Sequence, residues 1–244
     1  MIATALFIVP GAFLAALLRG FTGFGFMMAA VPLLSLALPP TQVVPLAILL
    51  QLEVGLMDLP GAVRLCDWRS LRWLAPGILL GTPLGLLALT NLSVNGARLA
   101  IGLLIASAVL LLSRGLRLAE HPSRWVTFGV GVVSGTMSGL SGISGPPVMT
   151  YLLALPHSTA VVRASAIVFF AMTSSVALAL MMEKGLVTRP ELIWSGLALP
   201  ALIAGARIGL WGFRRTHPRH HRATALTVLS VLALTLILRA LAHA

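Results

Sequence analysis

Two glycine clusters in this chain could each turn the backbone inside an apolar environment and offer bare main chain to an anion. The first reads Gly20-Phe21-Thr22-Gly23-Phe24-Gly25, the second Gly139-Leu140-Ser141-Gly142-Ile143-Ser144-Gly145. Gly20 and Gly23 map onto Gly139 and Gly142 with the same offset of 119 residues, and a hydroxyl residue, Thr22 or Ser141, sits between the glycines each time. Glycine permits a tight turn and close backbone approach to a ligand. A helix that begins after such a turn starts with unpaired N–H groups and the positive end of its dipole. That is an anion site made from backbone, to which Thr22, Ser141 and Ser144 add donors. Pro146 and Pro147 stand where the second such helix would begin, a position that accepts proline.

Three charges lie where charge is expensive. Glu53 falls near the middle of an apolar segment, Arg163 just inside another, and Arg207 in the last third of a third. The positions that correspond to them in the other half hold Ala171, Pro45 and Pro83, so the repeat does not demand them. Arginine can grip an oxyanion with two parallel hydrogen bonds. A buried carboxylate pairs or takes a proton, which suits coupling or gating. The plainer alternatives are snorkelling for Arg207, a loop-end topology charge for Arg163, and a structural ion pair for Glu53. Gln51 and Asp58 are weaker candidates, Asp58 being expected at the membrane interface.

The elements that must position these residues are helices in a bilayer. The 244-residue chain is 58% hydrophobic and 9% charged, more apolar surface than a soluble domain of this size can hide. Ten apolar segments follow, at 2–18, 22–38, 41–59, 72–90, 96–113, 125–138, 145–155, 159–182, 191–212 and 223–241. This predicts an all-α polytopic membrane protein, whereas a β-barrel would alternate in short segments. The second, sixth and seventh segments are short or adjoin a glycine cluster, so 1–2 and 6–7 are either two spans each or re-entrant hairpins of half-helices. Residues 2–18 lack a basic leader and read as a retained membrane segment.

Counting basic residues by side gives the orientation. One side receives Arg19, Arg64, Arg69, Arg72, Arg114, Arg117, Arg124, Arg163, Arg207, Arg214, Arg215, Arg219 and Arg222; the other receives Arg98, Lys184, Arg189 and Arg239. The rich side is expected in the cytoplasm and both termini in the periplasm. The formal charge of +11 therefore reads as topology signals rather than a nucleic-acid surface. Pro76, Gly81 and Gly85 match Pro200, Gly205 and Gly209 at an offset of 124. Five segments per half is an odd number, which turns one half upside down relative to the other. The expected organisation is a first transmembrane repeat at 1–113, a cytoplasmic linker at 114–124 and a second repeat at 125–244. Gly77, Gly81 and Gly85 read as small-residue helix packing.

Other chemistries fit less well. Gly139-Leu140-Ser141-Gly142 has the G-x-S-G pattern of an intramembrane serine protease, but its serine needs a histidine base inside the membrane. His157, His217, His220, His221 and His243 all fall in loops or at the terminus. His217, His220 and His221 are flanked by arginines that would repel a metal cation, so no metal, cofactor or catalytic residue is expected. Cys66 is the only cysteine and falls in a basic loop. A passive anion channel stays open as an alternative.

The duplicated motif resembles the sulfite exporter TauE/SafE family. The matching pieces are Arg19-Gly-Phe-Thr-Gly-Phe-Gly25 with Val31-Pro32-Leu33-Leu34, then Gly142-Ile-Ser-Gly-Pro-Pro-Val148 with Tyr151-Leu152-Leu153 and Arg163. The likeness implies a bacterial inner-membrane transporter that exports a small sulfur anion, such as sulfite, sulfoacetate or a related organosulfonate. Substrate-binding residues are expected at Gly20, Thr22, Gly23, Gly25, Gly139, Ser141, Gly142, Ser144, Gly145, Arg163 and Arg207, with Glu53 in coupling or gating. The expected partners are that anion and the lipid bilayer, without nucleic acid; a homodimer is compatible with the sequence.

Overall fold

A computed structural model of the chain describes residues 2–22, 25–114 and 122–215. Among these, every regular element is an α-helix: α1 (Ile2–Thr22), α2 (Phe26–Leu34), α3 (Pro40–Leu65), α4 (Trp68–Asn91), α5 (Val94–Arg114), α6 (Arg124–Ser141), α7 (Gly145–Ala154), α8 (Thr159–Glu183) and α9 (Arg189–Arg215). Helix is what apolar sequence does when no water can satisfy its backbone. The starts are set by local chemistry. Asp67 accepts from the Arg69 and Ser70 amides to cap α4, Ser123 from Val126 to cap α6, and Ser158 from Val161 to cap α8. The tenth apolar segment, 223–241, lies outside the described residues.

Among the described residues, four helices are long and apolar enough to cross a membrane: Pro40–Leu65, Trp68–Asn91, Thr159–Glu183 and Arg189–Gly212. α2 and α7 have 9 and 10 residues, a rise of about 15 Å, half of an apolar core of about 30 Å. Neither can cross alone. Each follows a longer helix in the chain, α1 before α2 and α6 before α7.

α4 lies against α6, α1 against α9, and α3 against α8 between them. The first two crossings are close because glycines line them. A Cβ on Gly85 would overlap the Thr136 carbonyl of α6, and one on Gly209 would overlap the Leu17 carbonyl of α1. Buried Val43, Val44, Ala47, Ile48 and Leu50 of α3 form the middle of the core, with Phe169 and Ala177 of α8. Leu79, Leu80, Leu84 and Leu87 of α4 and Leu192 and Leu197 of α9 face outward and are exposed, as lipid-facing side chains are. Trp68, Trp125 and Trp211 are exposed at the start of α4, the start of α6 and the end of α9, the helix ends that carry the arginines. Exposed tryptophan at helix ends suits a membrane interface.

Candidate functional site

Each helix break turns on one glycine. Gly25 before α2 has φ 92°, and Gly142 after α6 has φ 72°; no non-glycine residue among those described has positive φ. That region costs an L-residue about 1–2 kcal/mol. The two elbows meet. Gly25, Phe26, Met27 and Met28 from the first and Gly142, Ile143, Ser144 and Gly145 from the second enclose one cavity of about 20 Å³, with Gln51 of α3 and Phe170 and Ser174 of α8.

The two sides of this cavity are not equivalent. No side chain caps α2 or α7. The first-turn amides of α2, from Phe26, Met27 and Met28, have no intrahelical acceptor. α7 carries Pro146 and Pro147 in its first turn, which removes two of its donors. The first elbow is thus the stronger anion-facing group. Gln51 is buried beside the elbows, and its Oε1, an acceptor, has no partner.

The hydroxyls divide by task. Ser141 Oγ donates to Met137 O at 2.7 Å and accepts from the Ile143 amide at 3.2 Å. It braces the elbow and does not line the cavity. Ser144 does line it, 3.3 Å from Thr173 Oγ1. Thr173 donates to Phe170 O at 3.1 Å, so Ser144 is the donor to Thr173. Ser141→Ala should therefore cost about 1 kcal/mol of stability by freeing the Ile143 amide, with the half-saturation of transport unchanged. A thermal-unfolding curve and a transport titration on one preparation separate the two. A large rise in half-saturation at unchanged stability would make Ser141 a ligand.

A second cavity of about 220 Å³ brings Arg163 and Arg207 together with Arg19, Gly20 and Asp58, and Val54 and Ile167 also line it. Arg19 Nη2 bonds Asp58 Oδ2 at 3.1 Å; the Arg19 side chain is 13% exposed and that of Asp58 42%. Val54 lies one turn from Gln51 on α3, and Ile167 one turn from Phe170 on α8. The charged cavity therefore adjoins the elbow cavity along the same two helices, about 5 Å away.

Several of the glycines also pack helices, and the other candidates fall elsewhere. Gly20 and Gly139 sit in the helix crossings, where a Cβ would meet the Leu210 amide at 2.8 Å and the Leu86 amide at 2.6 Å. Gly145 faces the Phe170 ring at 3.6 Å. Gly23 lies outside the described residues; Thr22 closes α1. Glu53 lines neither cavity. Its carboxyl lies near Ser195 of α9, whose hydroxyl donates to Leu192 O at 3.1 Å, and Oε2 has no partner; Asp58, not Glu53, is the acid beside the arginines. Sequence reasoning weighs Gln51 and Asp58 lightly, although an amide inside an apolar segment is itself a signal. Burial pushes the Cys66 thiol up, and its Sγ contacts Val63 O at 3.5 Å, the opposite of an activated nucleophile. His157 bonds Asp67 at 3.1 Å rather than Ser141.

Residues 8–236 match the sulfite exporter TauE/SafE family. The chain is also 30% identical over 210 residues to the probable sulfite/organosulfonate exporter TauE of Cupriavidus necator, covering 83% of this chain and 80% of that one. No solved structure matches.

Proposed function

The chain belongs to the sulfite exporter TauE/SafE family, transporters rather than enzymes, and we propose that it exports a small sulfur-containing anion across a bacterial inner membrane. Sulfite, sulfoacetate and related organosulfonates are the substrate class. The observation that carries this reading is the closure of both glycine elbows and Gln51 on one cavity, with three arginines one turn away. The elbow cavity is too small for a sulfonate in this state, as expected of a carrier caught closed. The arginine cavity is the entrance from the cytoplasm.

The packing supports two inverted repeats. Gly139 of α6 meets Thr82 and Leu86 of α4; Gly20 of α1 meets Ala206 and Leu210 of α9. The first-half partners shift by 119 and the second by 124, the offsets read from sequence. α1 thus stands to α9 as α6 stands to α4. With the repeats at 1–113 and 125–244 and the linker 114–124 in the cytoplasm, the two elbows enter from opposite faces and both termini are periplasmic. Rocking of one repeat against the other would open the cavity to each side in turn.

Efflux from proteoliposomes tests this. Saturable sulfite or sulfoacetate flux with counterflow is the expected result. Flux that rises linearly with concentration would make the protein a channel, and absence of flux and binding for every sulfur anion would overturn the substrate class.

Glu53 fits a coupling role, because a carboxylate with an unpaired oxygen in an apolar span is costly unless it works. Glu53→Gln should abolish the dependence of flux on a pH gradient while leaving counterflow intact. Unchanged gradient dependence would return Glu53 to a structural role beside Ser195.

A further inference from the structure

A third cavity, separate from the transport site, opens between the start of α4, the start of α6 and the end of α7. Its volume is about 230 Å³, and Arg69, Arg72, Trp73, Arg124, Tyr151 and His157 are among its walls. None of the three guanidiniums has a carboxylate partner among the described residues. Arg124 is held on the face of Trp73 at 5.9 Å and of Trp125 at 5.5 Å, contacts that fix the cation without neutralising it.

Among the described residues, the one acid in the walls is Asp67, and it is already used. Its Oδ1 accepts the Arg69 and Ser70 amides at 3.0 and 3.2 Å, and its Oδ2 contacts Ser70 Oγ at 2.6 Å and His157 Nε2 at 3.1 Å. Burial alone would raise its pKa, but the bonds from Ser70 and His157 prevail and hold the carboxyl below its usual range. It is ionised and saturated, and the guanidiniums outnumber it three to one.

The floor is preformed. Ser70 donates to Asp67, so its 3.1 Å contact with Tyr151 is donated by the tyrosine; Thr127 Oγ1 lies 2.9 Å from the same tyrosine oxygen and 3.4 Å from Ser123 O. This chain of hydroxyls joins α6, α7 and α4. All three side chains are more than nine-tenths buried: Ser70 is 6%, Thr127 3% and Tyr151 4% exposed. Each hydroxyl proton has an acceptor within the protein, and the free donors in the cavity are the guanidiniums. Such donors suit a dianionic or monoanionic phosphate.

Beside it stands Trp125, 69% exposed and stacked on Arg124, an apolar neighbour that a soluble anion would not need. We propose that this cavity binds the phosphate of an anionic phospholipid headgroup, with Arg72 and Arg124 as its principal ligands and Trp125 against the glycerol and upper acyl region. Basic pockets between helices on the arginine-rich side of a membrane protein suit such headgroups. The reading is independent of the transport substrate, because its helices are α4, α6 and α7 whereas the arginine cavity is built on α1, α3, α8 and α9.

Native mass spectrometry and thermal unfolding of the detergent-purified chain test it. The probes are phosphatidylglycerol, phosphatidylcholine and free glycerol phosphate. Phosphatidylglycerol should bind and raise the unfolding temperature, while the other two should not. Arg72→Gln with Arg124→Gln should weaken phosphatidylglycerol about thirtyfold, taking each cation as a typical interfacial charge. Arg64→Gln, an exposed charge at the end of α3 that does not line the cavity, should leave it unchanged. The lysine double variant, which keeps the charge, should recover most of the binding and so separate headgroup contact from misfolding. Equal loss in Arg64→Gln would mean diffuse surface attraction and overturn the site. Equal binding of phosphatidylcholine would overturn its charge selectivity. Glycerol phosphate binding as tightly as the lipid would make it a soluble-anion site and overturn the lipid assignment.

Discussion

Sulfite flux through Gly142→Leu is expected to fall to that of protein-free vesicles. Two costs meet at this position. The backbone sits at φ 72°, where a leucine is strained by about 1–2 kcal/mol. A Cβ there would overlap Met27 Cε and approach Ile48 Cγ1 at 3.4 Å. The terminal methyl of Met27 can move, so folding can survive the change. The cavity cannot. Its volume is about 20 Å³, and an isobutyl group of leucine fills it. Gly129, on the same helix as the elbow, has open space within 4 Å of where a Cβ would stand, so Gly129→Ala should transport as the unaltered chain does. Gel filtration and an unfolding midpoint establish that Gly142→Leu is folded. A folded variant with normal flux would remove the elbow from the transport path.

The glycine elbows were legible because a backbone break inside a bilayer leaves few residue choices, and a duplicated break leaves them twice. What sequence could not divide was the labour within each cluster. Gly20 and Gly139 share an offset and a type with their neighbours, yet they serve helix crossings, while Gly25 and Gly142 hold the positive φ. Both demands select glycine, so composition alone cannot part them. Segment 22–38 reads as one apolar run because Phe24, Phe26 and Met27 are apolar on both sides of the elbow; the helix itself is confined to Phe26–Leu34.

The charges show a different limit. Arg163 and Arg207 stand out by breaking the repeat, and they do share a cavity. Their companion Arg19 looks in sequence like any boundary arginine. Glu53 and Asp58 differ by facing, which at about 100° per residue turns on a few positions of helix rotation. Glu53 turns to Ser195 of α9, whereas Asp58 turns to Arg19. Long-range packing sets that rotation, and no local pattern in α3 states it.

Opposite responses from the two partners of one ion pair are the second large effect expected. If the cytoplasmic anion takes the place of Asp58 on Arg19, Arg19→Gln removes the most buried guanidinium of the entrance and should raise half-saturation from that side about ten- to hundredfold, the range for a hydrogen bond to a charged group. Asp58→Asn frees the same guanidinium from its competitor and should lower half-saturation. Arg163→Gln and Arg207→Gln should act in the direction of Arg19→Gln but more weakly, because both residues are exposed and solvent screens them. A purely structural bridge predicts something else: both partners' variants would lower the unfolding temperature together and leave half-saturation alone. Flux measured in oriented vesicles, titrated from the cytoplasmic face, decides between them, and a parallel loss in Arg19→Gln and Asp58→Asn would reduce the pair to a strut between α1 and α3.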